Sequence, residues 1–272
     1  MDKFFDLSGK TVVVTGATGV LCSDMARELA RRGVKVAVMG LEDDLTKQIA
    51  DEINDDGGTA IGVVVDVLDK DSLIRARDAV MEEFGGIDIL INGAGGNHKN
   101  ATVSPNLSFF DIPKEALQFV FNLNILGTIM STQVFGEVMT KQGRGSVINI
   151  SSMNAYTPLT NIVAYSAAKA GINNFTQWMA VHFNLNYSPD IRVNAIAPGF
   201  FLTKQNHFLL VDEKTGGHTP RAKQILGHTP MNRYGVPEDL LGTIVYLASD
   251  ASSFVNGVVI PIDGGFSAYS GV

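Results

Sequence analysis

The stretch TVVVTGATGVLC, residues 11–22, decides how the rest of the chain is read. Its first half holds the apolar run Val12 to Val14, the kind carried by a strand buried on both faces. A glycine-bearing turn follows, and Leu21, Met25 and Leu29 then recur every four residues up to Gly33. That spacing predicts an amphipathic helix closed by a glycine. A strand, a glycine turn and a helix N-terminus in this order form the unit that seats a dinucleotide pyrophosphate. The glycines are oddly placed, however. Gly16 and Gly19 are present, while Val20 and Cys22 stand where such loops often carry more glycine. Taken alone, the stretch is a working cofactor loop, a modified one or an ordinary strand–helix turn.

The pattern continues outward. Short apolar strands are expected at 34–39, 60–65, 87–91, 146–150, 191–196 and 257–262. Between them, helical stripes run through Leu45, Ile49 and Ile53, through Leu73, Ala76, Val80 and Phe84, and through Ala168, Ile172, Phe175 and Met179. A long helix is expected over about 113–140 and a last one over 237–248. Residues 200–235 break the rhythm and read as a lid over the substrate site. Strand–helix alternation with continuously apolar strands predicts a single α/β domain over residues 1–272, doubly wound in the Rossmann manner. Its core would be a seven-stranded parallel sheet with helices on both faces.

Composition narrows the function classes. The net charge of −7 argues against a nucleic-acid or anionic-membrane surface. The single cysteine excludes an internal disulfide and a thiolate metal cluster, fits a reducing cytoplasm, and leaves no metal site expected. The first residues lack the apolar core of a secretory signal, and no apolar run approaches the roughly 20 residues of a membrane span. A soluble protein is expected.

In a doubly wound sheet, ligands bind beyond the carboxyl ends of the strands, at the topological switch point. Thr15-Gly16, Gly40-Leu41, Asp66-Val67, Asn92-Gly93-Ala94-Gly95, Ser151-Ser152 and Pro198-Gly199 all follow such ends. Further on, Tyr165-Ser166-Ala167-Ala168-Lys169 places a phenol and an ammonium four residues apart, on one helix face. A positive neighbour favours phenolate, so Lys169 is expected to lower the pKa of Tyr165. Ser152, thirteen residues before Tyr165, can polarise a carbonyl, and Asn124 supplies a buried amide on the long helix. Each residue alone has a bland role, as a turn cap, a core amide or a solvated lysine.

Together with TGATG, NGAG and PG, these residues strongly resemble the short-chain dehydrogenase/reductase family, over nearly the whole chain from Leu7 to Gly265. The resemblance implies that Tyr165 is the general acid in carbonyl reduction and the base in alcohol oxidation. Lys169 would lower its pKa and bond the nicotinamide ribose, Ser152 would hold the substrate oxygen, and Asn124 would anchor a water of the proton relay. It also implies cofactor contacts from Gly16, Thr18, Gly19, Val20, Leu21 and Leu41, with Asp66 and Val67 beside the adenine. Asn92, Ala94 and Gly95 would line the cofactor, and Pro198, Gly199, Phe201 and Thr203 would lie by the nicotinamide and pyrophosphate. Two departures from the family pattern stand out. Gly93 replaces a second Asn found in many members, and Cys22 takes the last glycine position of the loop. Gly19, one place early, would permit an unusual backbone dihedral, and Cys22 is small enough for close helix–strand packing.

Cofactor choice is usually read at the end of strand two, where an acidic side chain bonds the ribose 2′-hydroxyl of NAD. Here Gly40 stands at that place, Leu41 follows instead of an arginine, and no cation lies between Ala17 and Val20. Glu42, Asp43 and Asp44 would repel a 2′-phosphate. NAD is favoured over NADP, which is not excluded; the same acidic run also suits a helix N-terminus.

For the substrate, Asn97, His98 and Lys99 form a polar loop, Asn154 follows Ser152, and the 200–235 segment adds Lys204, Asn206, His218 and Arg221. That polarity favours a polyhydroxylated substrate over a steroid or acyl chain, with a cation available for a carboxylate. The segments INGAGGNHKNAT, INISSMNAYTPLT and IAPGFFLTKQNHFLL, with the shifted glycine loop, resemble the D-mannonate oxidoreductase (fructuronate reductase) branch. The implied reaction is reversible hydride transfer between NAD(H) and D-fructuronate/D-mannonate in hexuronate catabolism. Asn97, His98, Ser152, Asn154 and Tyr165 would face that substrate. A related sugar-acid or polyol dehydrogenase, such as one acting on gluconate at C5, uses the same machinery. A non-catalytic dinucleotide sensor is the reading from another class, although it would need no proton relay. The family is commonly a homotetramer. The tail from Gly265 to Tyr269 would suit either a subunit contact or the chain's own core.

Overall fold

The computed structural model describes residues 3–202, 210–211 and 216–271. Its centre is one sheet of seven strands, all pairing parallel: β1 (Thr11–Thr15), β2 (Lys35–Gly40), β3 (Thr59–Val64), β4 (Ile89–Asn92), β5 (Gly145–Ile150), β6 (Ile191–Pro198) and β7 (Val259–Ile262). The spatial order is β3-β2-β1-β4-β5-β6-β7, so the chain reverses direction of travel between β1 and β4. Register at that junction pairs Thr15 with Asn92 and brings the two glycine loops side by side above it.

Period-two alternation distributes the apolar residues to the two faces. Val12, Val14, Val36, Val38, Ile148 and Ile196 turn to one face, under helices α1 (Val20–Arg31), α2 (Asp43–Asp55) and α8 (Glu238–Ala248). Val13, Ala37, Met39, Leu90, Val147 and Val193 turn to the other, under α3 (Lys70–Phe84), α5 (Gly127–Gln142) and α6 (Val163–Asn186). The sheet is thus covered on both sides, as its continuously apolar strands require. At the floor of the sheet, the buried Arg192 guanidinium is held by the carbonyls of Leu247 and Ser249 and the hydroxyl of Ser252.

Several boundaries differ from the sequence reading. β4 starts two residues late and takes in Asn92, because the Asp88 carboxylate first accepts the amide of Thr11. The expected long helix is α4 (Lys114–Phe121), a π turn over Asn122–Leu126, and α5. The π turn swings Asn124 out of helical register toward the cleft. As a continuous helical run, Lys114–Gln142 is long and apolar enough by length and composition to cross a membrane, contrary to expectation. Half of its most apolar window is buried within the fold, where α5 covers the sheet. Within 200–235, Phe201 bridges to Gly235 and α7 (Pro220–His228) forms behind a Thr219 cap, so part of the segment has regular structure. Lys204, Asn206 and Phe208 of that segment lie outside the described residues. Phe266 packs inward on Phe200 and His228, which settles the inner half of the tail on the chain's own core.

Candidate active site

The β1–α1 turn is built as a pyrophosphate cradle, by a different glycine from the one anticipated. Gly16 has the left-handed φ of +67°, and a Cβ there would come within 2.7 Å of the Ala94 amide nitrogen. Gly19, at φ −78° and ψ 150°, is ordinary extended backbone that any residue adopts, so the expected strain is absent from it. Gly19 instead caps α1 with no side-chain hydrogen bond, and the first turn carries no acidic residue. The leading amides of α1, beginning with Val20 and Leu21, keep their protons and the positive dipole end for an anion. Those features fit a dinucleotide pyrophosphate.

Cys22 and Gly93 explain one another. A Cβ on Gly93 would overlap the Cys22 sulfur and stand 2.7 Å from the Thr15 carbonyl oxygen. The helix gains a side chain where the usual loop has none, and the β4 loop loses one opposite it. Burial pushes the Cys22 thiol up to about 11, which removes it from nucleophilic chemistry. The Thr15 hydroxyl then accepts the amides of Gly93 and Ala94 at 3.2 and 3.3 Å, fastening the β4 loop to β1. Nothing in the residue pattern pointed to that clamp beyond a threonine at a strand end.

Around the reaction centre, four elements converge. Asn124 accepts the Gly96 amide at 3.1 Å and donates to the carbonyls of Gly96 at 2.7 Å and Val120 at 2.8 Å. Its side chain is therefore a clip on the Gly96 backbone, and the Thr128 hydroxyl donates to the backbone carbonyl of Asn124. Gly95 lies against the Asn124 amide oxygen and the Lys169 ammonium, with room for no side chain. Lys169, 5% exposed, donates from Nζ to the Ile150 carbonyl at 2.7 Å, the ammonium's one hydrogen bond among the described residues. A buried ammonium with protons to spare beside the cofactor loop fits the hydroxyls of a nicotinamide ribose.

The Tyr165 phenol does not titrate as the helix spacing suggests. Burial raises its pKa, and the nearby Ser152 hydroxyl pulls the other way without prevailing. Lys169 Nζ sits 5.5 Å from the Tyr165 ring centroid, turned to Ile150. Four-residue spacing put both groups on one face; the tertiary acceptor decided where the ammonium points. Ser152 caps the short turn Met153–Ala155 and accepts the Asn154 amide at 3.3 Å, which fixes its hydroxyl near the phenol.

The polar rim arises from the loop after β4. Ala101 shares an apolar cluster with Ala116, Val120, Ala164 and the Tyr165 ring, and the Val103 amide donates to the Asn161 carbonyl. The Ala101 amide donates to the His98 carbonyl, which ties the turn carrying His98 to that cluster. Asn97 donates to the Thr102 hydroxyl. His98 rests edge-on against Phe119, and its Nδ1 accepts the Asn100 amide at 3.1 Å. The neutral ring consequently carries its proton on Nε2, leaving a donor. Asn154 is buried, and its side-chain amide makes no hydrogen bond within the described residues. Lys99 and Arg221 are exposed, and His218 stacks edge-on with Tyr234.

Other sequence candidates divide. Val67 is buried under Gly127, and Asp66 turns its carboxylate to the Leu68 amide. Leu41 is 69% exposed at the end of β2. Pro198 closes β6, and the Gly199 amide donates to the Ile262 carbonyl. Two side chains expected at the cofactor face inward. Asn92, 2% exposed, spends both amide protons on Thr132 and Asn149, because β4 runs one residue further than expected. The Phe201 ring is buried in the main apolar cluster, pressed on Gly235. Thr203 lies outside the described residues.

A doubly wound sheet with an anion cradle at its switch point, and a phenol, an ammonium and a serine hydroxyl beside it, defines a dinucleotide-linked oxidoreductase. The chain belongs to the short-chain dehydrogenase/reductase family, which uses NAD(P): a family model described as enoyl-(acyl carrier protein) reductase matches residues 16–267. It is 51% identical over 276 residues to the uncharacterized oxidoreductase UxuB of Bacillus subtilis, covering 98% of each chain. A Haemophilus influenzae structure with bound NAD, provisionally described as a D-mannonate oxidoreductase, superposes with a TM-score of 0.93 at 47% identity over 98% of both chains. A gluconate 5-dehydrogenase from Burkholderia cenocepacia, solved with NADP and tartrate, is 27% identical with a TM-score of 0.87 over 98% of both chains.

Proposed function

We propose that this protein is an NAD-linked dehydrogenase/reductase of sugar acids, interconverting D-fructuronate and D-mannonate. The observation that carries the reading is the polarity of the loops after β4 and β5: the Asn97 amide, the His98 Nε2 proton and the unpaired Asn154 amide offer hydrogen bonds that suit a polyhydroxylated substrate better than a steroid or acyl chain. The likeness to sugar-acid enzymes in Haemophilus influenzae and Burkholderia cenocepacia supports the same substrate class. The nicotinamide ring supplies or accepts the hydride when bound. Tyr165 gives its phenolic proton to the substrate oxygen during reduction, a role suited to a phenol that burial keeps protonated. Ser152 donates to the same oxygen and orients it. Lys169 and Asn124 hold the Gly95–Gly96 backbone and the ribose in register. The 200–235 segment, with α7, acts as the lid of this single-domain, soluble, cytoplasmic enzyme.

Steady-state kcat/KM with NADH tests the reading on a panel of D-fructuronate, 5-keto-D-gluconate, an uncharged ketose and a ketosteroid. D-Fructuronate is expected to lead, with the uncharged ketose at least about tenfold lower for want of a carboxylate. A lead by 5-keto-D-gluconate would move the assignment within the sugar acids, and turnover of the ketosteroid alone would overturn it.

The same reading takes the enzyme to be a homotetramer built on α5 and α6. Trp178 and Leu185 of α6 are 57% and 79% exposed, beside a groove of about 580 Å³ between the two helices. Apolar exposure of that extent is the mark of a subunit contact. Sedimentation equilibrium is expected to give four chains per particle; a monomer across the micromolar range would refute it.

A further inference from the structure

The family's ribose-reading position, the last residue of β2, is Gly40, and the structure leaves no space there for an acidic side chain. A Cβ on Gly40 would lie 2.7 Å from the Thr18 methyl, 3.0 Å from the Thr18 hydroxyl and 3.2 Å from the Thr46 methyl. Thr18 comes from the β1–α1 turn, whose Ala17 amide is tied to the Met39 carbonyl at 2.9 Å, so the two strand ends are locked together. Thr46 is fully buried, and its hydroxyl is spent on the Asp43 carbonyl. The Thr18 hydroxyl has no hydrogen-bond partner among the described residues and is not sealed from the cleft.

Charge at this corner runs the same way. Glu42, Asp43 and Asp44 follow Gly40, all exposed at the start of α2. The cation beside them, Lys47, is bonded to Asp43 at 2.6 Å. A 2′-phosphate arriving here would meet carboxylates and a committed lysine, whereas a 2′-hydroxyl would meet a neutral group that both donates and accepts.

We propose that Thr18 reads the adenosine ribose of NAD, its hydroxyl bonding the 2′-hydroxyl in place of the missing acidic residue. The selectivity device has moved from the end of β2 to the phosphate turn. Gly40 is bare because Thr18 occupies its side-chain space, and Thr18 reaches the ribose because Gly40 is bare. The pair forms one unit, which the acidic N-terminus of α2 completes by repelling NADP.

Equilibrium titration of NADH fluorescence, without substrate, tests this on Thr18→Val and Thr18→Ser, alongside the NADH analogue bearing 2′-deoxyadenosine. Valine keeps the shape that packs on Gly40 and removes only the hydroxyl. Thr18→Val is expected to weaken NADH about fivefold, the worth of one hydrogen bond, and to bind the deoxy analogue as the parent does. Thr18→Ser is expected to retain NADH affinity within about twofold. Equal weakening of NADH and the deoxy analogue by Thr18→Val, or no change in either, would overturn the proposal. A compensation experiment gives a second reading: Gly40→Asp alone is expected to lose NADH affinity against Thr18, and Gly40→Asp with Thr18→Gly to recover it. Undiminished NADH binding by the single variant would show that Thr18 does not fill that space.

Discussion

Tyr165→Phe is expected to lower kcat for carbonyl reduction by about 10³-fold, within the range assigned to general acid–base catalysis, while leaving NADH affinity unchanged. The ring packs with Ala101, Val120 and Ala164, and phenylalanine preserves all of that contact. Only the hydroxyl near Ser152 is lost, and Ser152, with an ordinary alcohol, cannot replace it as an acid. The pH profile separates this role from a structural one. Burial raises the phenol pKa, so the acid form prevails at neutral pH and reduction proceeds there without titration. Reduction by the parent should then fall as pH climbs through that raised pKa, and alcohol oxidation, which needs phenolate, should rise through it. The Phe variant should lose both limbs. Retention of more than about one-tenth of the parent kcat by this variant would remove Tyr165 from the proton transfer.

Lys169→Met should separate activity from stability. Loss of the ammonium beside Gly95 is expected to reduce kcat/KM by at least about 10², because the buried donor for the cofactor ribose goes with it. The fold, however, should become more stable at neutral pH. Burial pushes Lys169 down from its ordinary 10.5 to about 8, with the Cys22 thiol opposing weakly. Between those pH values the unfolded chain binds the extra proton, so this residue's contribution to stability rises with pH. Below about 8 the folded protein bears the whole cost of a buried charge, on the order of 3 kcal/mol. Methionine removes that cost and strands the Ile150 carbonyl, a loss of about 1 kcal/mol. Thermal melting is therefore expected to favour the variant at pH 7 and the parent near the ordinary lysine pKa. A variant less stable than the parent by the same margin at every pH would contradict this account of Lys169.

Both predictions concern residues whose positions were legible and whose surroundings were not. Tyr165 and Lys169 share a helix face by spacing alone, yet the ammonium takes the Ile150 carbonyl at the end of β5, nineteen residues back in sequence. Asn124 was visible as a polar residue in an apolar helix. That it sits in a π turn and clips Gly96 follows from packing against a loop 28 positions earlier. Asn92 was read one residue outside its strand and, by the family resemblance, beside the cofactor, whereas its register with Thr15 and Asn149 turns the amide inward.

The sequence by itself determined the doubly wound parallel sheet, the helix that opens at Val20, and the row of loops at the strand ends. Each depends on local periodicity, which neighbouring residues carry. Tertiary structure alone decided that Gly16 rather than Gly19 takes the left-handed turn, that Cys22 fills the space Gly93 vacates, and that Thr18 covers Gly40. Those are contacts between segments far apart along the chain. They depend on how closely α1, β2 and β4 approach, a distance of a few ångströms that no spacing of residues along one strand or helix encodes.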